Sequence, residues 1–439
     1  MRVRVVTESY MARAAVGNLA LRVISLGLVF ICHLLLTRLL GTHDYGIYAY
    51  ALAWIKALCV PATLGLERLV IREVATFRVH SDWSSWHGLL LWASRMLLVA
   101  SVSIALSAVA VSWLIADYSH GLYAFWLAMA LLPMLALLRL KQFVLQGIHR
   151  PIIGQIPETL VHPLLLTTLI AAYFVAGGRL TVTWAMALNV AATFVALLCG
   201  AVLLERNLPQ AVKESTPMAQ PQVWMRSVVP MLLVSGVNTF NGQIPVLMLG
   251  AMGDAEAAGI LSVAKRLADL VVLPTLALSA VLTPTLTTLW VARDKRGLQR
   301  IMTKSSRGVT LISLPLAVGF IIFGHQLLKV FGTSFTVGTR ALTVLCVGQI
   351  INVLAGSNGI LLVMTGHERD AAFISTACAV LNCVLCASLI PYWGTTGAAA
   401  GAVTSLIVWN LWLVARSRRR LGIRPTIFAR LVERSPEES

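Results

Sequence analysis

Seven charged side chains stand inside long apolar stretches of the sequence: Arg22, Lys56, Arg95, Glu158, Lys265, Arg266 and Asp269. A charge at the middle of a bilayer costs at least about 2.5–3.5 kcal/mol, so such groups face a cavity or a partner. Five of the seven are positive and two are negative, which gives a net charge of +3. This balance predicts a cavity that favours an anionic ligand, and it disfavours protons and metal cations as substrates.

The depth of each charge decides which interpretations stay open. Arg22 and Arg95 lie about eight residues from the predicted inner ends of their spans, or roughly 12 Å deep at 1.5 Å per residue. A long arginine side chain can reach the membrane surface from that depth, so both a surface role and a cavity role remain. Glu158 lies at a similar depth, and for it we expect either a structural ion pair with an arginine or a functional role.

Lys56 and Asp269 are stronger candidates for the cavity because each lies near the middle of its predicted span. Lys265 and Asp269 are four residues apart on one helix face, so they can form an ion pair. Such a pair is compatible with lining the cavity, and Asp269 could instead couple transport to protons. Aligning the two halves of the chain at an offset of 213 residues places Lys56 on Asp269 and Pro61 on Pro274.

Amide side chains supply neutral polar groups at the same depth. Asn238, Asn241 and Gln243, followed by Pro245, form a denser group than interhelical packing needs. Interhelical hydrogen bonds, worth about 0.6 kcal/mol each, are the alternative interpretation. Because amides also suit sugar hydroxyls, we predict that this stretch lines a substrate pathway. The sequence shows no catalytic constellation or nucleotide-binding loop, so we expect no catalytic residue, no metal and no cofactor.

The elements that position these residues follow from composition. The chain has 439 residues, of which 58% are hydrophobic and 12% charged, and its mean hydropathy is +0.82. A soluble domain carries about a quarter charged residues, so a soluble enzyme is excluded. The net charge of +17 could suggest nucleic acid, but the basic residues cluster in short segments between apolar runs. That distribution is typical of a polytopic membrane protein and excludes a nucleic-acid partner.

The apolar runs predict an all-α protein with twelve transmembrane helices. The spans are 14–39, 45–66, 88–115, 121–146, 152–176, 180–204, 224–251, 256–289, 308–325, 338–364, 371–391 and 395–415. Placing both termini in the cytoplasm puts 26 Lys and Arg residues on the inner side and four on the outer side, as the positive-inside rule requires. We expect an N-terminal lobe at 1–208, a linker at 209–222, a C-terminal lobe at 223–415 and a basic tail at 416–439.

Four segments resemble the polysaccharide flippases, the O-antigen and exopolysaccharide lipid-carrier exporters of the MATE-like superfamily. They are Leu39–Tyr48 (LLGTHDYGIY), Leu145–Arg150 (LQGIHR), Gly259–Leu267 (GILSVAKRL) with Pro274 and Pro284, and Asn382 with Leu389–Pro391, Gly394 and Gly397–Ala399. The resemblance spans nearly the whole chain. It departs from the family at Asn241–Gln243, where an acidic residue is frequent, and at Leu261, where a tyrosine is frequent, so no ion-coupling role is carried over to these positions.

The resemblance implies two six-helix lobes around a central cavity and alternating access. The cargo would be an undecaprenyl-diphosphate-linked oligosaccharide, moved across the bacterial cytoplasmic membrane for surface polysaccharide synthesis. The implied partners are this glycan, membrane lipids, and the polysaccharide polymerase and chain-length machinery. A cationic cavity suits the diphosphate, and arginine is its better bidentate ligand. Of the charged and amide side chains predicted inside the spans, we expect Arg22, Lys56, Arg95 and Arg266 to contact the diphosphate.

Two alternatives remain. A multidrug or cation exporter of the same superfamily would need an acidic lumen, which the net charge of +3 opposes. A polytopic glycosyltransferase, polymerase or ligase would need a substantial outer domain, and the predicted outer loops are short, as in Gly41–Asp44 and Gly253–Glu256.

Overall fold

A computed structural model of the chain describes residues 2–63, 65–115, 120–218, 221, 224–225, 237, 239–275, 278, 282, 286, 288–290 and 292–422. For residues 2–20, 22, 68, 115 and 120 only the backbone is described. Within these ranges the chain is helical and has no β-strand. The predicted fold class, an all-α polytopic membrane protein, is confirmed.

The helices follow one another along the whole described chain. They are α1 (Arg2–Thr63), α2 (Leu66–His80), α3 (Trp83–Ile115), α4 (His120–Gly147), α5 (Pro151–Ile156), a π-helical turn (Pro157–Val161), α6 (His162–Val175), α7 (Val182–Asn207), α8 (Gln210–Glu214), α9 (Ile244–Ala251), α10 (Ala255–Leu270), α11 (Lys295–Ile322), α12 (Gly324–Phe331), a 3-10 turn (Thr333–Gly338), α13 (Thr339–Ala355), α14 (Asn358–Met364) and α15 (Glu368–Leu421).

Two of these helices are too long for a single membrane crossing. At 1.5 Å per residue, α1 and α15 would measure roughly 90 and 80 Å, against a hydrocarbon core of about 30 Å. Each is interrupted by one glycine with non-helical dihedrals, Gly41 at φ 75° and Gly394 at φ 50°. Because a side chain disfavours positive φ, glycine is the residue that allows these breaks. They coincide with the predicted loops after the first and eleventh spans.

Within the described residues, eight helices are long and apolar enough to cross a membrane. Since α1 and α15 each hold two predicted spans, these eight helices account for ten of the twelve predicted spans. The other two, 224–251 and 256–289, lie partly outside the described residues and contain α9 and α10.

The chain divides into two compact units, Met1–Gln243 and Ile244–Ser439. Unit 1 has a core in which α2, α3 and α4 pack together around Trp86 and Trp224. In unit 2 the largest helix contacts join α13 to α15 and α11 to α13. The lobe and linker boundaries at 208, 222 and 415 stay predictions.

Candidate functional site

Within the predicted span 256–289, the C-terminal half of α10 carries three charged side chains. Asp254 begins this helix by accepting a hydrogen bond from the Ala257 backbone N–H at 2.8 Å. One face of α10 is apolar and buried, whereas Lys265, Arg266 and Asp269 are only half-buried. This amphipathic pattern turns the charged residues away from the core of the unit.

Lys265 and Asp269 form an ion pair across one helical turn. The Lys265 Nζ atom lies 2.6 Å from Asp269 Oδ2, and the side chains are 30% and 48% exposed. The second carboxylate oxygen, Oδ1, accepts a hydrogen bond from Gln349 Nε2 of α13 at 3.3 Å. The sequence-predicted pair therefore exists as a contact, and its functional role stays a prediction.

A chain of amides extends from this carboxylate into the core of unit 2. Asn352 Nδ2 donates to Gln349 Oε1 at 3.2 Å, and Asn410 Nδ2 of α15 donates to Asn352 Oδ1 at 3.1 Å. Gln349 and Asn352 each accept through the side-chain oxygen and donate through the nitrogen, and Asn410 donates, so the donors of the chain point toward Asp269. The chain ties α10 to α13 and α15, and it holds the carboxylate where Lys265 can reach it.

Arg266 differs from its neighbour because its Nε atom is buried and lacks a hydrogen-bond partner among the described residues. A buried donor without a partner costs about 1–3 kcal/mol. A cationic donor of this kind is suited to an anion, because its planar group can donate two parallel hydrogen bonds to one phosphate. Lys265 is already paired with the carboxylate of Asp269. Arg266 is therefore the cation of α10 that has unused hydrogen-bonding capacity.

Unit 1 contains a second polar cluster around the π-helical turn. Pro157 opens this turn, and the His162 backbone N–H bonds to the Pro157 carbonyl five residues back. Glu158 in the turn lies 3.7 Å from Arg139 of α4, with both side chains about one-third exposed. The structure thus pairs Glu158 with an arginine, one of the two arrangements that the sequence left open.

His162 connects the turn to two further helices. Its Nε2 atom lies 2.9 Å from Asn189 Oδ1 of α7, and Asn189 Nδ2 donates to the Tyr48 hydroxyl of α1 at 2.8 Å. The sequence alone did not identify His162 as part of a polar connection, nor Arg139 and Asn410 as partners. Each of these three residues is a polar residue inside an apolar run, which the sequence shows. Its partner lies far away in the sequence, so the contact itself could not be predicted.

The remaining predicted site residues are dispersed over the described part of unit 1. Lys56 is exposed on α1 and Arg95 is exposed on α3. Asn241 and Gln243 are half-buried just before α9. The Arg22 side chain and Asn238 lie outside the described residues. The structure therefore brings Lys265, Arg266 and Asp269 together, and the central cationic cavity stays a prediction.

Comparisons with known proteins agree with this architecture. A family model described as "Polysaccharide biosynthesis protein" matches residues 13–290, which is more than half of the chain. A second family model, MatE, matches residues 230–388. A curated relative named "Probable flippase AglR", from Haloferax volcanii, is 25% identical over 194 residues. That alignment covers 42% of this chain and 40% of the relative's length.

Solved structures share the fold. The inward-facing conformation of a multidrug resistance MATE family transporter of the MOP superfamily superposes with a TM-score of 0.78 at 14% identity, covering 93% of this chain and 98% of that chain. A MOP superfamily transporter from Pyrococcus furiosus, whose binding pocket is described as having reverse polarity, gives a TM-score of 0.65 at 13% identity. It covers 94% of this chain and 95% of that one. A twelve-helix arrangement is consistent with this fold.

Proposed function

Because the chain belongs to the polysaccharide biosynthesis protein family, we propose that it is a flippase for an undecaprenyl-diphosphate-linked oligosaccharide. It moves this lipid across the bacterial cytoplasmic membrane by alternating access, without changing it covalently, for O-antigen or exopolysaccharide synthesis. The observation that carries the proposal is the buried Arg266 Nε atom, which has no hydrogen-bond partner among the described residues.

The chemistry of the proposed cargo matches the side chains of α10. A diphosphate carries negative charge on several oxygens, and arginine binds such groups bidentately whereas lysine acts as a point charge. The carboxylate of Asp269 is already engaged by Lys265 at 2.6 Å and by Gln349 at 3.3 Å. Its charge is therefore offset locally and does not repel the phosphates as an isolated carboxylate would.

A multidrug or cation exporter is the second candidate, and the MATE family name of the superposed transporter favours it. Such a cargo needs an acidic or aromatic binding surface. In the C-terminal half of α10 the two cations Lys265 and Arg266 stand beside one carboxylate, Asp269, so the local charge is positive. This charge favours an anionic cargo.

Reconstituted transport tests the proposal directly. The full-length protein in proteoliposomes should move a fluorescently tagged undecaprenyl-diphosphate oligosaccharide between leaflets. Arg266→Ala should reduce the rate by about tenfold, the loss of roughly 1.4 kcal/mol from charged hydrogen bonds, and Arg266→Lys should retain part of it. Arg340→Ala, which removes an exposed arginine of α13, is the matched control. Full activity of Arg266→Ala, or transport of an organic cation in place of the tagged lipid, would contradict the proposal.

A further inference from the structure

One end of unit 2, outside the predicted spans, concentrates basic side chains from two helices. We call it the basic end and define it by Arg293, Lys295, Arg296, Lys304, Arg418 and Arg419, all of which are exposed.

The first turns of α11 are amphipathic. Asp294 begins the helix, and its Oδ1 atom accepts the Gly297 backbone N–H at 2.7 Å. Leu298 and Met302 are four residues apart and buried. Lys295, Arg296 and Lys304 in the same turns are exposed, so this segment packs on unit 2 through its apolar residues and presents its cations at the surface.

The end of α15 lies beside this segment. Leu298 and Met302 belong to the same apolar cluster as Leu421, the last residue of α15. Arg418 and Arg419, which precede Leu421, are exposed. The apolar contact therefore brings the basic start of one helix next to the basic end of another.

The nearby acidic groups leave this positive charge largely uncompensated. Asp370 is occupied by Arg416, whose Nε and Nη2 atoms donate to its carboxylate at 2.9 and 2.6 Å, and by Arg420 at 3.4 Å. Asp294 serves as the helix cap. Glu368 is the further exposed acid at the start of α15.

An aromatic side chain marks the boundary of the same cluster. Trp290 is half-buried against it, and its ring lies 6.4 Å from the ring of His367. Tryptophan is enriched at membrane–water interfaces, where its apolar ring and its N–H group face different environments. We therefore expect the basic end at the depth of the phosphate groups of a bilayer leaflet.

We propose that the basic end binds the phosphate headgroups of anionic phospholipids in the adjoining leaflet. Exposed Lys and Arg beside an interfacial aromatic residue supply both charge and hydrogen-bond donors to such headgroups. Binding would fix this end of unit 2 at the membrane surface. The proposal goes beyond the flippase function and does not depend on the identity of the cargo.

Native mass spectrometry of the full-length protein in detergent tests this, with phosphatidylglycerol and phosphatidylcholine as probes at equal concentration. We expect phosphatidylglycerol to bind preferentially and to dissociate as salt is raised. The double variants Lys295→Gln/Arg296→Gln and Arg418→Gln/Arg419→Gln should each weaken its binding by about tenfold or more. Arg179→Gln/Arg340→Gln, two exposed arginines elsewhere, should bind as the unmodified protein does.

The charge-retaining variant Lys295→Arg/Arg296→Lys should keep phosphatidylglycerol binding, which separates loss of charge from loss of folding. Equal binding of the two lipids by the unmodified protein would overturn the proposal. So would unchanged phosphatidylglycerol binding in both charge-removing variants, the result expected if an acidic protein were the true partner. A protein that failed to transport the tagged oligosaccharide could still show the lipid preference, so the two proposals fail independently.

Discussion

At the scale of single residues, the charges of α10 have different partners. Lys265 and Asp269 neutralise each other at 2.6 Å, whereas the buried Arg266 Nε atom lacks a hydrogen-bond partner among the described residues. Lys265 contacts one carboxylate oxygen of Asp269 and Gln349 donates to the other, so both oxygens are already occupied. These contacts favour a structural role for Asp269 over a role in proton coupling.

This assignment predicts the behaviour of three variants. Asp269→Asn should lower glycan export because it leaves Lys265 without its anion. Lys265→Met should lower it because, among the described residues, Asp269 then keeps only its hydrogen bond from Gln349. The double variant should recover much of the export, since both charges are gone. We expect a stability loss of about 1–2 kcal/mol in each single variant, less than for a fully buried pair because these side chains are partly exposed.

The measurement is export at two or more external pH values. The single Lys265→Met variant serves as the control for Asp269→Asn. Failure of the double variant to recover, with pH dependence lost wherever Asp269 is replaced, would instead assign proton coupling to Asp269.

At the scale of helices, glycine determines how closely the two arms of α15 pack on each side of Gly394. A Cβ atom at Gly397 would fall against the backbone carbonyl of Leu389, and one at Gly401 would lie 3.1 Å from the backbone nitrogen and the Sγ atom of Cys386. Backbone atoms cannot move away as a flexible side chain can. The small residues spaced four apart in the sequence therefore allow a close helix contact.

Gly397→Ala should destabilise the protein by about 1–3 kcal/mol, the usual cost of overpacking. Gly308→Ala is the matched control, because a Cβ atom at this helical glycine of α11 meets nothing within 4 Å. Alanine also has the higher helix propensity, so Gly308→Ala should keep or raise stability. Thermal unfolding in detergent measures both, and equal midpoints for the two variants would contradict this account of the packing.

Helix-scale features also show where sequence reasoning succeeds and where it ends. Apolar runs locate the membrane helices, because a span needs about 20 such residues whatever surrounds it. The π-helical turn at Pro157 was not predicted, since its hydrogen-bond pattern depends on local geometry between two prolines. The partners of His162 and Asn410 were not predicted either, because a polar residue in a span indicates that a partner exists without identifying it.

At the scale of the whole molecule, the distribution of Lys and Arg sets the expected orientation. The exposed basic residues of α11 and the end of α15 lie in one unit and on the side that the positive-inside rule assigns to the cytoplasm. One predicted span, 45–66, separates the break at Gly41 from the basic segment around Arg68–Arg78. The break is therefore expected on the opposite side of the membrane from that segment. The two regions therefore provide a test of topology.

We predict that a cysteine at His43, whose side chain is 70% exposed, reacts with a membrane-impermeant thiol reagent added outside intact cells. A cysteine at Lys295 should react only after the cells are permeabilised. The seven native cysteines lie in helices and are buried or half-buried, so the unmodified protein gives the background rate, and a cysteine-free parent confirms it. External labelling at position 295 in intact cells would reverse the orientation of unit 2 and remove the basic end from the cytoplasmic leaflet. Agreement at both positions would require an odd number of crossings between positions 43 and 295, as the seven predicted spans from 45–66 to 256–289 provide. Both sites must therefore be read in one preparation.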